Sequence, residues 1–118
     1  MEKFYDTSTE SRLRGVIENP KEEGDDESRL LKIMLRSEQA VFEVIIAPGW
    51  FMTKQSLNLQ KNHVIEVIGS FIRVSGKACL LAREILHKNQ KYFIRDPYGQ
   101  PLWEIYKKSR GQSDDSVI

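Results

Sequence analysis

The sequence predicts an all-β fold: a small Greek-key barrel of about five to six strands, with one short helical connection and a C-terminal hairpin. Three observations support this prediction. Apolar and polar residues alternate with period two around Leu13 and Ile33, which is typical of strands with one buried face. Glycine, proline and asparagine mark tight turns between the apolar segments. The strand pattern is interrupted only after Pro48-Gly49, where a helical connection fits best.

The first half of the chain predicts a three-strand meander. Strands are expected at residues 12–18, 31–36 and 41–46, and the last two are joined by a connection short enough for a hairpin turn. The segment between Asn19 and Ser28 combines proline, glycine and a run of acids, so it predicts an exposed loop. A calcium loop is not favoured, because its oxygen ligands need a regular alternating spacing that this segment lacks.

The second half predicts a long hairpin. Irregular apolar spacing after Trp50 indicates a short helix or capped loop, and residues 64–74 then form a strand that is longer than average. Gly69 in its middle predicts a bulge or barrel bend, where Gly69→Val should cost more than about 1 kcal/mol. Residues 78–86 return as its partner after a tight turn at 75–77.

The chain then predicts a terminal hairpin. Its strands are expected at residues 91–95 and 101–106, around the turn Asp96-Pro97-Tyr98-Gly99. Three strands, a helical connection and a long bent hairpin follow the order of an OB-type barrel. A plain antiparallel sandwich is the alternative.

Length and composition predict one domain. The 118 residues suffice for a single core, with a barrel at residues 11–108 between mobile ends at 1–10 and 109–118. Eighteen basic and seventeen acidic residues leave a net charge of +1, which gives no overall attraction to nucleic acid or anionic membranes.

The single cysteine does not fix the compartment of the protein, and only the N-terminal segment bears on it. Cys79 cannot form an internal disulfide, and its apolar neighbours predict a buried thiol. The N-terminal residues lack the apolar core of a signal peptide and no stretch is long enough to span a membrane, so we expect a soluble, cytoplasmic protein. A processed exported form remains an alternative.

Four segments of the chain form a recognisable pattern: Pro48-Gly49-Trp50-Phe51, Ile65-Glu66-Val67-Ile68-Gly69-Ser70, Leu81-Ala82-Arg83-Glu84-Ile85 and Arg95-Asp96-Pro97-Tyr98-Gly99-Gln100-Pro101-Leu102-Trp103. The last is the most specific, because nine positions combine a turn with a tryptophan at fixed spacing. In these segments the chain resembles a family of small, mostly uncharacterised prokaryotic OB-like domains. The resemblance implies an OB-like fold and no established chemistry.

Basic and aromatic residues on the predicted strand face form the candidate ligand site. Trp50 and Phe51 have two interpretations: they stack on bases or sugar rings, or they plug the open end of the barrel, which we favour. Trp103 likewise is expected to cap the core. The candidate ligand-binding residues are Arg14, Lys32, Arg73, Trp50 and Phe51.

No catalytic or metal-binding pattern is evident in the sequence. His63 and His87, the only histidines, show neither the local spacing of zinc ligands nor a nearby nucleophile motif, so we expect no metal, no cofactor and no enzyme. The favoured hypothesis is a non-catalytic module that binds another protein, as an interaction or accessory subunit. Single-stranded nucleic acid or oligosaccharide binding through the barrel face is the alternative, and an enzyme with an unconventional site is a remoter one.

Overall fold

The structure is a computed structural model that describes residues 5–24, 29–38 and 40–105. Within these ranges the chain forms seven strands in one sheet and an α-helix between two of them. In chain order the elements are β1 (Glu10–Ile17), β2 (Lys21–Glu23), β3 (Leu30–Arg36), β4 (Val41–Pro48), α1 (Gly49–Lys54), β5 (Val64–Val74), β6 (Lys77–His87) and β7 (Gln90–Phe93).

Strand β1 closes the sheet into a ring, because it pairs with β5 on one side and with β3 on the other. Arg14 lies opposite Glu66 of β5, and Ile17 lies opposite Leu35 of β3. Antiparallel pairs between β3 and β4 and between β5 and β6, and a parallel pair between β4 and β6, complete the ring. Strand β2 extends it from β3, and β7 from β6. The predicted all-β, barrel-like fold is confirmed.

Burial follows the predicted alternation. Ile17 of β1 and both Ile33 and Leu35 of β3 are buried, whereas Arg14 is exposed. Side chains from the ring strands meet in one apolar cluster, which also takes in residues from α1 and from the segment after β7. Because burial of apolar surface stabilises by about 25 cal/mol per Å², this cluster is the main source of stability.

Gly69 marks a break in the β5–β6 register. Ile68 lies opposite Glu84 but Gly69 lies opposite Ala82, so β6 has one extra residue, Arg83, at this point. A Cβ atom on Gly69 would lie 2.2 Å from the Leu81 carbonyl oxygen. The β5 and β6 backbones therefore lie too close together at Gly69 for any residue that has a Cβ atom. This close approach and the register shift confirm the predicted bulge.

The helix α1 and the C-terminal segment cover the core together. Phe51 of α1 is fully buried, with its ring 6.0 Å from that of Trp103, which is 8% exposed. Trp103 thus caps the core as predicted. The strand expected at 101–106 is wrong for residues 102–105, which are helical; Pro101 makes only a single bridge to Arg95. Proline suits the start of a helix, and the helical turn directs Trp103 toward Phe51.

The N-terminal residues and the acidic segment both make contacts with the barrel strands. Residues 5–10 contact the barrel, since the Asp6 amide donates to Ser70 Oγ at 3.1 Å and Thr9 Oγ1 donates to the Phe71 carbonyl at 3.0 Å. The predicted mobility of residues 1–10 and 109–118 stays a prediction, because 1–4 and the whole tail lie outside the described residues. Within the segment predicted as a loop, β2 forms an exposed three-residue strand on β3.

Candidate functional site

The predicted basic residues occupy different parts of the surface. Arg14 on β1 and Lys32 on β3 line two separate clefts, and neither cleft includes Arg73. The Arg73 guanidinium is engaged locally, because its Nη1 donates to the Gly76 carbonyl at 2.9 Å across the β5–β6 turn. Arg14 and Lys32 thus lie in different clefts and Arg73 lines neither of them, and each stays a candidate by itself.

The two aromatic candidates differ in accessibility. Phe51 is fully buried, so the proposal that it contacts a ligand is corrected: its side chain has no surface to offer. Trp50 is half-buried, and its ring meets that of Phe51 edge-on at 6.0 Å. Trp50 packs against the core cluster, which matches the interpretation of this pair as a plug.

The first cleft, which we call the lysine cleft, has a volume of about 700 Å³. It lies where β2 pairs with β3, beside β4 and the start of β6. Val41 on its rim is an exposed apolar side chain, 47% accessible. Its lining residues are Asn19, Pro20, Lys21, Glu23, Lys32, Ile33, Met34, Val41, Glu43, Lys77 and Ala78.

Four charged side chains of the lysine cleft, Lys21, Lys32, Glu23 and Glu43, are paired with one another. Lys32 Nζ lies 2.8 Å from a Glu23 carboxylate oxygen and 3.8 Å from one of Glu43, and Lys21 Nζ lies 2.9 Å from Glu23. Hydrogen bonds from Lys32 and Lys21 lower the pKa of Glu23 to about 2, and the bond to Glu23 raises the pKa of Lys32. These pairs are partly exposed, so they contribute little stability, but they compensate charge.

The second cleft, which we call the histidine cleft, has a volume of about 450 Å³. The rings of His63 and His87 stack in it with centroids 4.8 Å apart and planes 28° from parallel. His87 is only 8% exposed. The lining residues are Arg14, Asn62, His63, Val64, Ile65, Glu66, Leu86, His87, Lys88 and Asn89.

The β5–β6 register brings the two histidines together. Glu66 lies opposite Leu86, and continuing this register puts His87 opposite Ile65. His63 is two residues before Ile65, so it lies on the same face and diagonally across from His87, within reach of an aromatic side chain. Sequence reasoning missed this pair, since only the register after the bulge puts both residues on one face.

Hydrogen bonding and burial differ between the two rings of this stack. The backbone N–H of Gln60 donates to Nδ1 of His63 at 3.4 Å, which requires a lone pair on that nitrogen. The pKa of His87 is lowered, first because the ring is buried, and then because His63 and Lys88 lie nearby. Among the described residues, no hydrogen bond reaches the ring nitrogens of His87. His87 thus changes its charge only when the pH falls below the ordinary range of histidine.

Arg95 is a buried cation that lines neither cleft and contacts aromatic rings. It is 6% exposed, and its guanidinium carbon lies 5.7 Å from the centre of the Tyr5 ring and 5.2 Å from that of Trp103. Nη1 donates to the Gly99 carbonyl at 2.8 Å, while Nε has no partner in the described part of the chain. Burial lowers the pKa of Arg95. Cation–π contacts therefore hold the turn against the core.

Other site chemistries have little support in residues 5–24, 29–38 and 40–105. No group of three or more His, Cys, Asp or Glu side chains there is arranged to hold a metal ion. Cys79 is buried, and its pKa is raised mainly by that burial, so the reactive thiolate is disfavoured. None of the helices in these ranges has the length and apolar composition needed to cross a bilayer.

Comparison with known proteins identifies a family. The family model of the MamS/MamX magnetosome proteins matches residues 9–92, from the start of the barrel through β7, and ends before the Arg95–Trp103 segment. A comparison with curated proteins gave no match. The family match agrees with the prediction of a small prokaryotic domain family. Because it covers well over half of the sequence, the chain belongs to the MamS/MamX magnetosome protein family.

Proposed function

We propose that this chain is a non-catalytic accessory module of the magnetosome, built on an OB-type barrel, and that it binds another protein through the lysine cleft. The family name associates its members with magnetosomes. Support for the OB type comes from the strand connectivity, in which β1, β3 and β4 form a meander and β6 pairs in parallel with β4 after the helix.

The observation that carries the proposal is the pairing of charges in the lysine cleft. Lys32 sits between Glu23 and Glu43, so positive and negative groups alternate beside the exposed Val41. Mixed charges next to apolar surface suit a protein surface of complementary pattern. The adjoining strand β2 lies at the edge of the sheet and is exposed along its length, so its backbone can add to the contact.

The same pairing argues against the alternative ligand. A single strand of nucleic acid needs basic side chains that are free to neutralise phosphates along one groove. Here Lys32 is paired with the carboxylates of Glu23 and Glu43. Arg12 on β1 is paired with Glu66, and Arg36 on β3 is paired with Glu18. A phosphate backbone would have to break these pairs.

Site-specific photo-crosslinking in the native host tests the proposal. A photoreactive phenylalanine analogue placed at Val41 should give a discrete adduct with one partner protein. Phe93 on β7 is the matched control, since it is equally exposed, at 50% against 47%, but lines neither cleft. The Phe93 probe should give no such adduct. Adding Lys32→Glu to the Val41 probe should remove the adduct, because it reverses the central charge.

Two results would contradict this function. One is the same adduct pattern from Val41 and Phe93, which would indicate collisions rather than a docking surface. The other is binding of labelled single-stranded DNA or RNA that weakens with salt and falls when Arg14, Lys32 and Arg73 are changed to alanine. That second result would establish the nucleic-acid alternative.

A further inference from the structure

The histidine cleft carries more positive than negative charge. Its charged lining groups are Arg14 from β1, Glu66 from β5 and Lys88 from the β6–β7 turn. Glu66 is already bound by Arg12, whose Nη1 forms an ion pair with its carboxylate. Arg14 has neither an ion pair nor a hydrogen bond among the described residues. Two cations and two imidazole rings therefore share this cleft, and Glu66, the one acid among its described lining residues, is already paired with Arg12.

We propose that the histidine cleft is a binding site for a small oxyanion of the sulfate or phosphate class, which it takes up when His87 is protonated. Arg14 offers the planar guanidinium donors that match such an anion, and Lys88 offers an ammonium group. The amides of Asn62 and Asn89 line the same cleft. Its volume, about 450 Å³, suits a small ligand rather than a polymer.

Protonation links the stack to the anion. A positive charge on the His87 ring is repelled by Arg14 and Lys88, which line the same cleft. A doubly charged oxyanion in the cleft would offset that repulsion. By linkage, the anion must then bind more tightly at low pH, and its presence must favour the protonated His87 ring to the same extent.

Sulfate is the appropriate probe, because its charge stays constant over the range in which histidine titrates. Calorimetric titration of the full chain should show saturable binding that is about tenfold tighter at about pH 5 than at about pH 8. In a ring-nitrogen NMR titration, sulfate should shift the midpoint of His87 toward higher pH relative to chloride at equal ionic strength. This measurement needs only the wild-type protein, so it does not depend on the folding of a variant.

Arg14→Gln should weaken sulfate binding about tenfold, since it removes a charge-assisted hydrogen bond from an exposed side chain. Lys77→Gln is the control. It also removes one positive charge, but from the lysine cleft, at the opposite end of β6 from His87. It should leave the affinity unchanged. The proposal is overturned by equal affinity at both pH values, by the absence of a sulfate effect on the His87 midpoint, or by equal losses in the two variants.

Discussion

The lysine cleft and the histidine cleft both contain basic side chains, but their acids are arranged differently. Lys32 lies between Glu23 and Glu43, whereas Glu66, the one acid among the described residues of the histidine cleft, is paired with Arg12. Lys21 and Lys32 thus pair with acids of their own cleft, whereas Arg14 and Lys88 have no ion pair among the described residues. We propose that the pairing of the basic residues, rather than their number, decides which class of partner each cleft accepts.

The two clefts also differ in how they arise. The histidine cleft depends on the bulge at Gly69, because only the register beyond it puts His63 and His87 on one face. The lysine cleft depends on β2, which holds Glu23 against Lys32. A change in the β5–β6 register should therefore affect one cleft and spare the other.

The largest expected effect comes from breaking that register. Gly69→Val should destabilise the protein by about 2–3 kcal/mol, because its Cβ would collide with the Leu81 carbonyl and force the two strands apart. In the folded fraction the His63–His87 stack should be lost while the Lys32 ion pairs persist. Thermal or denaturant unfolding measures the first effect, and histidine ring NMR signals the second.

Gly76→Asn is the control for the glycine substitution. Gly76 has a φ of +79° and open space around its Cβ position, and asparagine tolerates this conformation. Its effect should be within about 0.5 kcal/mol. An unchanged melting temperature for Gly69→Val would refute the bulge as the origin of the histidine cleft.

Sequence patterns sufficed for most of the barrel but not for the clefts. Alternation located β1 and β3, and the glycine inside a long strand located the bulge, because these features are local. The strand β2 was missed, since three charged residues bury nothing and form a strand only against β3. Residues 102–105 are helical because Trp103 packs on Phe51, a contact between distant segments. The histidine stack required the exact register, which no local pattern specifies.

The next effect concerns the pH dependence of stability. The pKa of His87 in the folded protein is lowered from 6.5 by burial, so the unfolded chain binds more protons at mildly acidic pH. Its contribution to stability is therefore present above about pH 6.5 and is lost as the pH falls below it. Unfolding curves in chloride should show a decline between about pH 7.5 and pH 5, smaller than the Gly69→Val effect.

His87→Leu should flatten that decline, because leucine keeps an apolar side chain in the buried position and removes the proton site. His63→Leu is the companion variant, because it removes the stacked neighbour of His87 and leaves His87 itself in place. If the decline in stability persists unchanged in His87→Leu, another group causes it, and the histidine pair is not the titrating element of this cleft.

The smallest expected effect lies in the lysine cleft. Lys32→Gln should leave the stability nearly unchanged, since exposed ion pairs contribute little. It should, however, raise the pKa of Glu23 from about 2 toward its ordinary value, because the hydrogen bond from Lys32 is the main cause of the lowering. Carboxyl NMR titration measures this shift. An unchanged Glu23 titration would show that the charges in this cleft are not compensated as described.

Amide NMR mapping of a sulfate titration at about pH 5 tests the contrast between the two clefts most directly. We expect saturable shifts at Arg14, at residues 62–66 and at residues 86–89, with none around Lys32, Glu43 and Lys77. Shifts centred on the lysine cleft, or equal shifts in both clefts, would contradict it, since they would show that internal charge pairing does not decide which surface accepts an anion.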